Sequence, residues 1–180
     1  MDADKTPARF WIDYKEPFAY KLLAAILRYY FWLHDLNGGI RVLLCVGTDR
    51  LTGDALGPLV GTKVAEAGDS PYSVYGTLAA PVHALNIQEK VQEIFSLYEN
   101  PFIIAVDASL GNHQNIGLIS VGAGPIQPGT GLKKSLPRVG DLHIIGVVNQ
   151  GGAKELQNTR LHVVMSQAEV IASALLHAVQ

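Results

Sequence analysis

Cysteine is almost missing: Cys45 is the one thiol in 180 residues. An intrachain disulfide framework is thereby excluded, as is a zinc site built on several thiolates. Within the apolar run "IRVLLCVG", Cys45 reads as a small buried hydrophobe rather than a nucleophile. A chain of this kind suits a reducing cytosol. Charge is scarce as well. Asp, Glu, Lys and Arg make up 17% of the chain and the net charge is -2, so the basic footprint of a nucleic-acid binder is lacking. The densest basic cluster, Lys133, Lys134 and Arg138, reads as a solvated loop. The N-terminus "MDADKTPARFWIDYKEP" is charged and mixed, and no signal peptide is expected. Long uninterrupted hydrophobic runs are lacking too. The segment "FAYKLLAAILRYYFWLHDL" comes nearest, but Lys21, Arg28 and Asp35 interrupt it near one helical face. Leu22, Leu23, Ile26 and Leu33 lie on the other side. The pattern predicts a surface helix with one buried face, not a bilayer span. Its aromatic cluster, Tyr29 to Trp32, reads as core packing or a homodimer contact, and no membrane partner is expected.

Apolar residues are plentiful, at 48% of the chain, which supports a real core and argues against disorder. The expected organisation is an aromatic helical segment over residues 1–39, packed on an α/β domain over 40–180. "IRVLLCVG" reads as a strand covered on both faces. A helix should run from about Leu56 to Ala67. "YSVYGTL", "PFIIAVDASLG", "IGLISVG" and "LHIIGVVN" are further strands, the second ending in Asp107 and opening into a loop. "PVHALNIQEKVQEIFSLYEN" reads as a helix with Pro81 near its first turn and apolar positions at Leu85, Val91, Phe95 and Leu97. A last helix should fill most of Glu155 to Val179, with Ala168, Ile171, Leu175 and Val179 on one stripe. Strands alternating with helices imply α/β layers around a mostly parallel sheet. The long Pro/Gly loop at 122–140 exceeds the usual connection length, and such loops are often functional.

Open α/β sheets bind ligands beyond the carboxyl ends of their strands. Asp49 and Asp54, in the glycine-rich bend "GTDRLTGDALGP", follow the first of these strands; Asp107 closes "FIIAVD"; Asn149 follows "IIGVV". Two carboxylates in one pocket repel each other, so one stays protonated as an acid while the other acts as a base toward water. Alternatively they hold a divalent ion with a histidine from among His83, His113 and His143, although His143 starts a strand and belongs to the wrong end of the sheet. A phosphate cradle fails, since the bend matches neither dinucleotide nor P-loop fingerprints and is acidic. No GxSxG elbow occurs, and Ser109 has no evident base. The bland alternatives are a helix cap for Asp54, a turn residue for Asp49 and a turn-capping acid for Asp107.

Several segments carry a resemblance: "GTDRLTGDALGPLVGTKV", "VYGTLAAPVHALN", "PFIIAVDASLG", "GPIQPGTGLKKSLPRVGDLHIIGVVN" and "LQNTRLHVVM". In this order, over about residues 40–170, the chain resembles the YyaC-type sporulation proteins. These are similar in turn to the germination protease of spore-forming bacteria, an aspartate-dependent endopeptidase acting on small acid-soluble spore proteins. More distantly they are similar to the hydrogenase maturation endopeptidases. The resemblance implies a three-layer α/β/α sandwich with a mostly parallel, mixed sheet of the phosphorylase/hydrolase-like kind. It implies catalytic roles for Asp54, in "GDALGP", and Asp107, in "FIIAVDA". Gly129, Thr130 and Gly131, in "QPGTG", would bind substrate, with Asp49, Thr48 and Asn149 in support. The glycines of the bend would let a substrate backbone approach. The implied partner is a protein or peptide, in the cytoplasm of the spore or forespore. No cofactor is expected, with a divalent metal at Asp54 and Asp107 as the minor alternative. A non-catalytic peptide-binding or scaffold role on the same fold stays open. The "SLGNHQNIG" that follows Asp107 lacks the positive charge found there in the germination protease.

Overall fold

The computed structural model describes residues 9–34, 39–127 and 138–179. Six strands form one sheet in the order β1-β5-β6-β4-β2-β3. These are β1 (Phe10–Asp13), β2 (Arg41–Cys45), β3 (Tyr72–Tyr75), β4 (Phe102–Gly111), β5 (Leu118–Ala123) and β6 (Leu142–Gln150). β3, β2, β4 and β6 run parallel, while β5 is antiparallel to both of its neighbours. The helices are α1 (Ala19–Leu33), α2 (Leu56–Glu66), α3 (Ile87–Leu97) and α4 (Leu161–His177). The architecture is the expected three-layer α/β/α sandwich.

Residue alternation along β4 sets the layers. Ile104 and Val106 join the larger core cluster, with residues of α1, α2 and α4. Ile103 and Ala105 join the smaller one, with Ile87 and Ile94 of α3 and with Ile126 and Val139. The central strands are buried on both faces, which explains their unbroken apolar runs. Gln167 of α4 is fully buried, and its Nε2 donates to the Val147 carbonyl at 2.9 Å. Gly146 leaves it the room, because a Cβ there would collide with its Oε1.

Several elements differ from the sequence expectation. β4 continues four residues past Asp107, because Ala108 to Gly111 keep pairing with β6 through a register shift at Ser109/Leu110. β1 lies in the segment that reads as charged and mixed; its pairing with β5 makes it a strand. α3 starts at Ile87 rather than near Pro81, because Asn86 folds the preceding turn, accepting from the His83 N–H and donating to the Pro81 carbonyl. Its buried side chains are Ile87 and Ile94, whereas Leu85, Phe95 and Leu97 are exposed. In α1 the core takes Ala19, Leu23, Leu27, Tyr30 and Phe31, and leaves Leu22 and Leu33 outside. α4 begins at Leu161 behind a short 3-10 turn, Ala153–Leu156. Ala168, Ile171 and Leu175 are on its buried stripe.

Candidate active site

Two loops at the carboxyl ends of the parallel strands, and strand β4 itself, build the site. The first is the bend after β2. Gly47 has φ +140°, and its N–H donates to the Val82 carbonyl at 2.8 Å. The Thr48 N–H donates to the Asp54 carbonyl at 3.0 Å. A Cβ on Gly47 would land on that carbonyl, and one on Gly57 would land on the carbonyl of Val46. These glycines therefore let the bend and α2 lie directly on the end of β2. That corrects the expectation that they open a path for a substrate backbone: the space beside them is filled by this chain's own backbone. The tight bend ends in the 3-10 turn Thr52–Asp54, which sets Asp54 at the head of α2 without a side-chain cap bond to that helix.

The second element is β4, which places Asp107 on the α3-side face, two residues beyond Ala105. The third is the turn after β3. Val82 bridges to Val46, so the following His83 is brought beside the Asp54 bend. Its Nδ1 accepts the Leu85 N–H at 3.3 Å, leaving Nε2 as the ring's free polar atom. Asp54, His83 and Asp107 are all partly buried.

Their electrostatics follow from this placement. Burial pushes the Asp54 carboxyl up to about 6, against the opposing pull of the Thr48 backbone hydrogen bond and the His83 charge. Burial, then the nearby Asp54 charge, pushes Asp107 up to about 8, although its Oδ1 accepts the Ala108 N–H at 2.8 Å. Around neutral pH the pair therefore holds about one proton, titrating as a unit in two steps. Among the described residues no hydrogen bond joins the two carboxyl groups directly. Each keeps acceptor capacity for a water or a substrate atom.

The other candidates lie elsewhere or play other parts. Asp49 is exposed. Thr48 supports Asp54 through its backbone. Asn149 Nδ2 donates to the Glu155 carbonyl at 3.0 Å and to Thr159 Oγ1 at 3.3 Å, which ties down the turn after β6. His113 is exposed beside a cavity of about 340 Å³ lined by Gly111, Asn112, Gln150 and Glu155. His143 sits at the start of β6, held by the Gly124 carbonyl and Arg9. Cys45 is fully buried, and burial raises its thiol far above the reactive range. Gly129, Thr130 and Gly131 lie outside the described residues. The root of their loop, Ile126 paired with Val139, packs on the sheet face that carries Ala105 and Asp107. Among the described residues, no group of three or more His, Cys, Asp and Glu side chains is arranged to hold a metal ion. No helix among them is long and apolar enough to cross a membrane.

Fold and site together define a three-layer α/β/α protein with two coupled carboxyl groups and an imidazole at the carboxyl edge of its sheet. The chain belongs to the family described as "Protein of unknown function (DUF1256)", whose model matches residues 11–174. It is 53% identical over 137 residues to the "Uncharacterized protein YyaC" of Bacillus subtilis (strain 168), an alignment covering 74% of this chain and 67% of that protein.

Proposed function

We propose that the protein is a peptidase-type hydrolase of the sporulation programme, acting in the spore or forespore cytoplasm, with Asp54 as the base and Asp107 as the acid. One observation carries this reading: two carboxyl groups 53 positions apart in sequence are brought to one sheet edge, both raised by burial, with Asp107 raised further by the Asp54 charge. The similarity of "GDALGP" and "FIIAVDA" to germination-protease motifs supports peptide bonds as the target and small acid-soluble spore proteins as substrates. In the proposed reaction a water between the carboxyls attacks the scissile carbonyl carbon. Asp54 takes the water proton and Asp107 protonates the carbonyl oxygen. On collapse, the proton on Asp54 goes to the leaving amine nitrogen, and Asp107 recovers its proton from a hydroxyl of the tetrahedral intermediate. The cycle returns both groups to their starting states.

Cleavage of a purified small acid-soluble spore protein tests the proposal. The native chain should cleave it, Asp54→Asn and Asp107→Asn should not, and a chelator should make no difference. Loss on chelation would replace the reading with a metal-assisted one. A second reading, peptide binding without turnover, is favoured by the Ala108 N–H that the Asp107 carboxyl already accepts. Tight substrate binding by the native chain with no product would establish it.

A further inference from the structure

α1 is apolar on two opposite faces. One faces the core, with Leu23, Leu27 and Tyr30 almost wholly buried. The other carries Phe18, Leu22, Ala25, Tyr29 and Trp32, spaced by four, three, four and three residues, with Leu33 at its edge. Leu22, Ala25, Tyr29, Trp32 and Leu33 fall within an arc of about 100° opposite the core; Phe18, the N-cap residue at φ 62°, precedes the helix, with Lys21 Nζ 4.9 Å from its ring centroid. Phe18 is 67% exposed, Leu22 54%, Tyr29 48%, Trp32 74% and Leu33 48%. A helix apolar all round is normally buried all round. Among the described residues nothing covers this outer stripe.

The spacing of the stripe says what would fit it. It is nearly symmetric about Ala25, its one small residue: Phe18 and Trp32 lie seven positions to either side, Leu22 three positions before and Tyr29 four after. In an antiparallel pair related by a two-fold axis at Ala25, Phe18 would face the mate's Trp32, Leu22 its Tyr29, and Ala25 its own copy. Every bulky side chain then meets another, and the small residue at the axis lets the helices approach. Taking ~150–250 Å² for each aromatic side chain, the exposed stripe amounts to roughly 500 Å² per protomer. A symmetric pair would bury about 1,000 Å², the lower bound for a specific interface. A lipid surface fits less well. Lys21 and Arg28 are the cations beside the stripe, Arg28 is already committed to the His177 carbonyl at 2.9 Å, and the chain is net negative.

We propose that this outer face of α1 pairs with a second copy of the chain, antiparallel, with its two-fold axis at Ala25. Independent of any catalytic role, it predicts a weak homodimer. Sedimentation equilibrium of the full chain from 1 to about 100 µM should show a monomer–dimer equilibrium at micromolar concentrations. Ala25→Arg should leave a monomer with an unchanged circular dichroism spectrum. Ala25→Cys, folding-neutral at an exposed site, should oxidise to a disulfide-linked dimer. Leu22→Cys alone should not do so, but mixed with Tyr29→Cys it should. Cys45 is buried and will not interfere. A native chain that stays monomeric at 100 µM would overturn the proposal, as would a dimer that survives Ala25→Arg while Ala25→Cys fails to cross-link. Equal self-linking by Leu22→Cys and Ala25→Cys would overturn the antiparallel register. Binding of a monomer to phosphatidylglycerol vesicles, lost in Ala25→Arg, would assign the stripe to lipid instead.

Discussion

The two ends of the parallel sheet carry similar residue types and treat them differently. At the amino end, His143 is fixed from both ring nitrogens, by the Gly124 carbonyl and Arg9, and Asp141 Oδ2 accepts the Ile103 N–H at 2.8 Å. Burial lowers the His143 pKa, favouring the neutral ring. At the carboxyl end, Asp54 and Asp107 are crowded together, partly desolvated and both raised. A polar group that serves the fold is satisfied by the fold. Groups held against their own preference mark the candidate site, and in the proposed function the stability given up there serves chemistry.

The sharpest way to break this comparison is through activity. Asp54→Asn and Asp107→Asn should each lower peptide cleavage by about 10³-fold, while Asp141→Asn and His143→Gln leave kcat/KM within roughly threefold. A cleavage assay on the four variants checks it; equal losses at both ends would remove the distinction. The native pH profile should be bell-shaped. In the proposed reaction turnover needs Asp54 ionised, above about 6, and Asp107 protonated, below about 8, so the optimum should fall near neutrality with both limbs belonging to the coupled pair. A rise continuing beyond pH 9 would exclude Asp107 as the acid.

Stability should respond with opposite signs at the two ends. Asp107 keeps its proton in the folded chain up to about pH 8, whereas the unfolded chain releases it near its ordinary value. Between these limits the folded state binds more protons, so stability falls as pH rises. Asp107→Asn removes that slope. It should leave stability unchanged near pH 4 and raise it above pH 8 by roughly 2 kcal/mol, a figure discounted for the partial exposure of the carboxyl. Asp141→Ala should instead destabilise, by about 1–2 kcal/mol, because the Ile103 N–H loses its acceptor. Thermal melts at pH 4.5 and 8.5 separate the two.

The difference between the ends was only partly legible in the sequence. Buried parallel strands announce themselves as unbroken branched runs, so β2, β4 and β6 could be read, and with them the positions of Asp54 and Asp107 at one edge. The head of α2 was legible for the same reason. The purpose of the bend's glycines was not, because a close approach to Val46 or to the Asp54 carbonyl is a tertiary fact. Strand β1 has too few residues to show a period; only its pairing with β5 makes it a strand. In α1 the charges at Lys21 and Arg28 mark the solvated face, but not which of the remaining apolar residues the core will take: Leu23 is buried while Leu22 and Leu33 stay outside.

His83 shows where sequence reasoning stops. Among three histidines nothing local distinguishes it, and a lone histidine usually serves the fold. It reaches the site because Val82 docks against Val46, a contact between segments 36 positions apart. The smallest expected effect tests this placement. The His83 charge pulls the Asp54 pKa down against burial, so His83→Gln should let it rise. The acid limb of the pH profile should then move up by roughly 0.5 pH unit while the alkaline limb holds, narrowing the window from below. His143→Gln, at the other end of the sheet, should move neither limb. A shift of both limbs in His83→Gln would mean that the ring acts on the pair as a whole, and the division of acid and base between Asp107 and Asp54 would have to be redrawn.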